Sequence, residues 1–162
     1  MVKAKSAASP RPPSRLTKQQ IAALVAAANA SSPTKLTKLL DGLSPADLQC
    51  LDGERELTPL AAACLDARLP AVELLLARGA DPAFPAGDTL PIDCALSCRL
   101  NASQREVDDR VAIVHKLLAA GSPVEGLGLE GKSVLFQATE MGRGKARALV
   151  RDLLARGAKA DC

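Results

Sequence analysis

The chain has 162 residues, a length that suits one domain with a continuous core. Charged residues make up 24% of it and hydrophobic residues 48%, a balance typical of globular proteins, and no apolar run approaches the ~18 residues of a membrane-spanning helix. Tyr and Trp are absent and Phe occurs twice, which argues against an aromatic stacking platform for single-stranded nucleic acid.

The positive charge is concentrated at the amino terminus. The first 19 residues hold five of the 21 basic residues and none of the 18 acidic ones. Residues 7–14 are rich in Pro and Ser, so we expect residues 1–16 to form a disordered or extended basic tail. The tail is a solubilising leader, a docking arm for an acidic or nucleic-acid surface, or a cleaved organelle leader. Two adjacent prolines and the lack of a clear amphipathic helix count against the last.

A pair of short helices is predicted after the tail. Thr17 and Gln20 form a capping-box pattern, and apolar residues then recur at helical spacing. A second helix is predicted to begin at Ser32 and to end at Gly42, with a further turn after it. We therefore expect a capping helical pair over residues 17–51.

One degenerate sequence motif, which we call the phrase, then occurs three times. Each copy starts a short first helix, continues into a Leu-rich second helix and ends at a glycine, the residue that most readily takes the left-handed conformation after a helix. The first helices are predicted to start at Thr58, Leu90 and Ser133, and the second helices to end at Gly79, Gly121 and Gly157. These starts and ends are 21, 31 and 24 positions apart, so the second and third copies carry insertions between their helices.

The residues at the start of each phrase suit helix N-termini to different degrees. Thr58 is a good N-cap, and Pro59 follows it at a position where its missing N–H costs nothing. Leu90 lacks the capping hydroxyl, whereas Ser133 keeps it. Ser103 begins a capping-box pattern that predicts a long second helix in the second copy.

The first copy, residues 57–63 followed by 74–81, closely resembles the ankyrin repeat, whose common pattern is T-P-L-H-x-A-A, a second helix ending in L-L, then G-A-D. The resemblance implies an all-α ankyrin-repeat solenoid of about four helix-pair repeats with short hairpin-like loops, over residues 17–162. After the capping pair, the repeats cover about 52–83, 84–125 and 126–162. Ala61, Asp93 and Phe136 replace the family's histidine, so we expect its hydrogen bonds to be absent and stability to be modest.

The same resemblance implies a non-catalytic protein–protein interaction module, an adaptor or scaffold, which binds another protein through its loop tips and the concave face of its first helices. The partner-binding residues carried over by register are Glu54, Arg55, Leu65, Asp66, Phe84, Asp88, Asp93, Ser97, Gln137, Glu140 and Met141. The alternative is a small structural subunit of a large multiprotein assembly, held by the tail and by an uncapped C-terminal repeat. A nucleic-acid binder that acts through its tail ranks third.

The two aromatic residues have different expected roles. Phe84 lies between prolines on a predicted loop tip, where it is either an interface anchor or a side chain that folds back to fill a gap. Phe136 lies within a first helix, and we expect it to be packed.

The five cysteines favour free thiols in a reducing compartment, cytoplasmic or nuclear, because their number is odd and the context is a repeat. Cys94 and Cys98 lie four apart on one helical face, and His115 could join them around a metal. No C-x-x-C pair occurs, however, and a closed zinc site needs four ligands. We therefore expect no metal and no cofactor, with Cys64 among the core thiols and His115 partly buried in its helix.

Enzyme signatures are missing from the sequence. Residues 126–131 match G-x-G-x-x-G by letters but follow no predicted strand, so we interpret them as a turn between the second and third copies. Residues 142–145 lack the spacing of a P-loop and are interpreted as an insertion between helices. Asp108 and Asp109 fit a solvated helix face. We therefore predict that the protein is not an enzyme.

Overall fold

A computed structural model describes residues 15–30, 33–53, 56–97, 102–125, 132–141 and 145–159. Predictions for the basic tail before residue 15, for Glu54 and Arg55, for Cys98 and for the glycine-rich segment 126–131 lie outside the described residues.

The described residues form eight α-helices and one 3₁₀ helix, so the prediction of an all-α fold is confirmed. In chain order they are α1 (Lys18–Asn29), α2 (Pro33–Leu40), the 3₁₀ helix (Pro45–Gln49), α3 (Pro59–Leu65), α4 (Leu69–Ala77), α5 (Pro91–Leu96), α6 (Gln104–Ala119), α7 (Val134–Glu140) and α8 (Lys145–Ala155). The predicted long second helix of the second copy is α6. No helix in the described parts of the chain is long and apolar enough to cross a membrane.

The helices pack as pairs in two rows. The first row consists of α1, α3, α5 and α7, and each contacts the next member along the chain. The second row consists of α2, α4, α6 and α8, which contact one another in the same order. Each first-row helix also packs against the second-row helix that follows it, so the apolar core lies between the rows and between successive pairs.

Side-chain caps start the helices where the sequence predicted them. The Thr17 N–H donates to Gln20 Oε1 at 2.8 Å, and the Gln20 N–H donates to Thr17 Oγ1 at 3.3 Å, which completes the capping box. Thr58 Oγ1 accepts from the Ala61 N–H at 3.1 Å, and Ser133 Oγ accepts from the Phe136 N–H at 3.2 Å. These caps satisfy amide groups that have no partner within the helix.

Three second-row helices end in the same motif. Gly79, Gly121 and Gly157 have φ angles of +86°, +96° and +90°, the left-handed conformation that was predicted. After α4, the Gly79 N–H donates to the Leu76 carbonyl and the Ala80 N–H donates to the Leu75 carbonyl, both at 3.0 Å. The same pair of bonds recurs after α6 and α8. This is the Schellman arrangement, and it ends α4, α6 and α8 alike.

One buried arginine joins three helices. Arg110 of α6 is 1% exposed, and its guanidinium donates to the Leu65 carbonyl of α3 at 2.9 Å and to the Ala95 carbonyl of α5 at 3.1 Å. It also donates twice to Glu106, one turn earlier on α6. Because the last carbonyls of a helix have no partner within it, Arg110 satisfies two helix C-termini at once. No local sequence pattern marks Arg110, because Leu65 and Ala95 are distant from it in the chain.

The cysteines described are free and buried, as predicted for core thiols. Burial raises the pKa of the Cys50 thiol to about 11 and raises the pKa of Cys64 and of Cys94 above the usual thiol value. These thiols are therefore protonated at neutral pH.

Two predictions about single side chains are wrong. Phe136 is 39% exposed rather than packed. The His115 side chain is also exposed, and its Nδ1 lies 3.3 Å from Asp152 Oδ2 on α8. His115 faces α8, the next second-row helix, which covers it only in part. Phe136 lies on α7, the last described first-row helix, which no described helix pair follows.

Candidate binding surface

A short finger connects α4 to α5. Two backbone hydrogen bonds close it, from the Ala86 N–H to the Thr89 carbonyl at 2.8 Å and from the Thr89 N–H to the Ala86 carbonyl at 3.1 Å. The Thr89 hydroxyl adds a third bond to the Ala86 carbonyl at 2.9 Å. Gly87 has φ +59°, which the tight turn requires. The finger is thus hairpin-like and held by its own hydrogen bonds.

The base of the finger is fixed as well. Asp81 Oδ1 accepts from the Ala83 N–H at 2.8 Å, the geometry of an Asx turn. Pro82 is buried and Phe84 is half-buried, so the finger packs on the body and leaves part of the Phe84 ring accessible.

A second turn precedes α3 and lies beside the finger. The Asp52 N–H donates to the Leu57 carbonyl, and the Leu57 N–H donates to Asp52 Oδ1, both at 3.0 Å. Glu56, directly before Leu57, is exposed and adopts the left-handed conformation at φ +53°. A Cβ added to Gly87 would lie 3.4 Å from Glu56 Oε2, so the Glu56 side chain lies beside Gly87 and the two loops are adjacent.

The described residues of these two loops, 52–53, 56–57 and 81–90, form what we call the tip surface. Its exposed charged side chains are Glu56, Asp81 and Asp88, all acidic. No described basic residue belongs to it, so its electrostatic field favours a positively charged partner segment.

Leu65 and Asp66 lie at the C-terminal end of α3, away from the tip surface. Both are half-buried and border a cleft of about 520 Å³ between the α3–α4 turn and the start of α6. The other lining side chains are charged or small: Ala67, Arg68, Pro70, Ser103, Arg105, Glu106, Asp109 and Arg110. Bases and acids are present in equal number, and the Arg110 guanidinium is already bonded to Leu65, Ala95 and Glu106.

The geometry separates the predicted contact residues into two groups. One guanidinium reaches the carbonyls of both Leu65 and Ala95, so α3 and α5 end side by side. The loops that contain Glu56 and Gly87 both precede these helices and also lie side by side. The tip surface and the cleft are therefore at opposite ends of helices that are about 10 Å long. Phe84 and Asp88 belong to the first group, and Leu65 and Asp66 belong to the second.

Three predicted contact residues are buried, and a partner cannot reach them. Asp93, Gln137 and Met141 are 0%, 4% and 5% exposed. The physical reason is that first-row helices stack on each other, so the faces that bear Asp93 and Gln137 are enclosed at the α5–α7 junction. Ser97, at the end of α5, is half-buried, and Glu140 is exposed in an ion pair of 3.0 Å with Lys132.

Asp93 has a structural role that the sequence analysis missed. Its Oδ2 accepts from the Leu90 N–H at 2.9 Å, and its Oδ1 lies 3.5 Å from Gln137 Nε2 of α7. The carboxylate thus stabilises the helix start at which Leu90 has no hydroxyl, and it links two successive helices. The resemblance implied that the hydrogen bonds of the histidine that Asp93 replaces would be absent, and Asp93 makes hydrogen bonds of its own at this position. An acid three residues after the helix start was the available signal.

The part of the chain that the structure describes contains no group of three or more His, Cys, Asp or Glu side chains that could hold a metal ion. We found no protein-family model that matches the chain and no curated protein that is significantly similar to it in sequence.

Proposed function

We propose that this chain is an ankyrin-type repeat stack that acts as a non-catalytic adaptor or scaffold and binds another protein through the tip surface. Three features support the repeat assignment: the two rows of helix pairs, the Schellman ends at equal register, and the hairpin-like finger between successive pairs. The protonated, buried thiols suit a packed module in a reducing compartment better than a nucleophilic enzyme.

The observation that carries the proposal is that the two acidic loops lie side by side. Glu56 and Asp88 are exposed on loops whose backbones are fixed by internal hydrogen bonds. A pre-ordered loop loses little conformational entropy on binding, and like charges on adjacent tips attract a basic segment. The partly accessible Phe84 supplies an apolar contact beside these charges.

The test is a charge reversal of the tip surface. Glu56→Lys with Asp88→Lys should abolish the capture of a specific partner in a quantitative affinity purification, and should weaken binding of the purified partner at least about tenfold. Asp41→Lys with Glu73→Lys is the matched control, because it makes the same charge change in exposed second-row ion pairs. Equal loss of binding in both variants, or in neither, would contradict the proposal.

Phe84→Ala separates the two roles of that side chain. Weaker partner binding with an unchanged melting temperature would identify an interface anchor, and such truncations often cost about 2 kcal/mol or more. A lowered melting temperature with unchanged affinity would assign the ring to the fold. The partner should be titrated and the melting temperature measured on the same preparation.

The second candidate is a structural subunit of a large assembly. It is favoured by the apolar side chains exposed on the last helix pair, Phe136 and Leu154. Such a subunit would co-purify with its neighbours in fixed stoichiometry and resist washing with high salt, whereas an adaptor bound through acidic tips would be released by salt.

A further inference from the structure

The two exposed large hydrophobic residues of the described chain both lie on the last helix pair. Phe136 of α7 is 39% exposed and Leu154 of α8 is 48% exposed. Val150 of α8, one turn before Leu154, is half-buried. The apolar side chains thus cluster on the helix pair that ends both rows.

The repeat register explains why these positions are apolar. Phe136 corresponds to Ala61 and Asp93, each three residues after its helix N-cap, and both of these are fully buried. Val150 lies seven residues before the terminal glycine, as do the fully buried Val72 and Val114. At the α5–α7 junction the contact is explicit, because Asp93 lies 3.5 Å from Gln137 of the next first-row helix. No described helix pair follows the last one, α7 and α8.

The same register gives the charge that a covering helix should have. Six residues before each terminal glycine lie Glu73, His115 and Arg151. Glu73 pairs with Lys116 of the next second-row helix at 2.8 Å, and His115 lies 3.3 Å from Asp152 of the next. Lys116 and Asp152 each lie five residues before the glycine that ends their helix. At both junctions, the charged residue at this position therefore lies opposite a residue of the preceding second-row helix. By the same register, the exposed Arg151 would pair with a carboxylate on a helix that covers it.

We propose that the end face, which consists of Phe136, Val150, Arg151 and Leu154, docks an amphipathic α-helical segment of another protein. The apolar side of that segment covers Phe136 and Leu154, and an Asp or Glu at its edge pairs with Arg151. Arg147, exposed one helical turn before Arg151, adds to the attraction for acidic side chains.

Charge argues against a second copy of this chain as the occupant. A copy stacked head to tail would place Thr37 of α2 at the register of Lys116 and Asp152, between the exposed Lys35 and Lys38. Thr37 carries no charge, so a head-to-tail copy would leave Arg151 without the carboxylate that the register predicts. A copy stacked end to end would bring a second Arg151 to the same patch.

The experiment uses the full chain and two synthetic helical peptides, stabilised by side-chain crosslinks, that share one Leu face. One peptide carries Glu beside that face and the other carries Lys. Fluorescence anisotropy should show the Glu peptide binding at least about tenfold more tightly, and Arg151→Glu should reverse this preference. Lys38→Glu makes the same charge change on α2 and should preserve the preference. A photocrosslinker in place of Leu154 should label the bound peptide.

Other outcomes would overturn the proposal. They are equal affinity for the two peptides, equal effects of Arg151→Glu and Lys38→Glu, and self-association in analytical ultracentrifugation that Leu154→Asp abolishes. The double reversal at Glu56 and Asp88 should leave peptide binding intact, because the tip surface is not part of the end face. A failure of one proposal can thus be distinguished from a failure of the other.

Discussion

Arg110 shows how a single buried charge can hold successive helix pairs together. Its guanidinium hydrogen bonds to the carbonyls that end α3 and α5 and to Glu106, so the charge is compensated although the side chain is almost fully enclosed. The Arg68 Nε donates to the Asn29 carbonyl at 2.9 Å, so an arginine also satisfies the end of α1. Arginine suits this task because its planar fork donates in several directions.

Arg110→Met should destabilise the fold by about 3 kcal/mol or more, since it leaves two carbonyls without their donor at a buried site and removes the partner of Glu106. Urea denaturation followed by circular dichroism would measure the change. Arg105→Met, on an exposed position of the same helix, is the control and should cost less than about 0.5 kcal/mol. A similar small loss in both variants would show that Arg110 is dispensable.

The Cys50 thiol gives a pH dependence with a definite sign. Burial raises its pKa from 9.0 to about 11, so the folded state holds the proton more tightly than the unfolded state. This contribution to stability is fully present below pH 9 and is lost as the pH rises towards 11. Cys50→Ser should therefore lose less stability than the wild type between pH 8.5 and pH 10.5, in urea titrations at each pH. If the free energy of unfolding falls equally with pH in the wild type and in Cys50→Ser, the Cys50 thiol does not cause the pH dependence.

At the scale of the element, the helix ends matter more than the helix interiors. Several helices are seven residues or shorter, too short to be stable alone, so their caps and tertiary contacts define them. The left-handed glycine at the end of each second-row helix turns the chain towards the next finger.

Gly79→Ala and Gly121→Ala compare the space around the glycines that end α4 and α6. Both variants force alanine into the left-handed conformation, which costs about 1 kcal/mol. A Cβ at Gly79 would also lie 3.1 Å from Pro45 Cγ, whereas a Cβ at Gly121 meets nothing within 4 Å. Gly79→Ala should therefore cost about 1 kcal/mol more in thermal denaturation. Equal losses would show that the 3₁₀ helix moves aside freely.

At the scale of the whole molecule, stability comes from the junctions between successive pairs. The core cluster runs without a break from Leu24 of α1 to Leu153 of α8. In such a stack each pair depends on its neighbours, and a short stack unfolds as one unit.

Leu75→Asp should destabilise the whole stack by several kcal/mol, because the side chain is fully buried and the new carboxylate would have no partner. Leu154→Asp, the same substitution at the exposed end, should change stability by less than about 1 kcal/mol. For the wild type, unfolding followed by circular dichroism and by resistance to proteolysis should show one shared transition. Separate transitions for the two halves would contradict the single stack.

The sequence by itself determined the features that depend on residues a few positions apart. Thr17, Thr58 and Ser133 cap their helices as predicted, and the three terminal glycines adopt the left-handed conformation, because each of these interactions closes within one helical turn.

Only the tertiary structure decided which side of each helix is enclosed. Asp93 and Gln137 were predicted to be surface contacts and are buried at the α5–α7 junction, whereas Phe136 was predicted to be packed and is exposed. Equivalent register positions differ in this way because burial depends on whether the next helix pair lies against them. The same dependence explains Arg110, whose partners Leu65 and Ala95 are distant in sequence and adjacent only after the pairs have stacked.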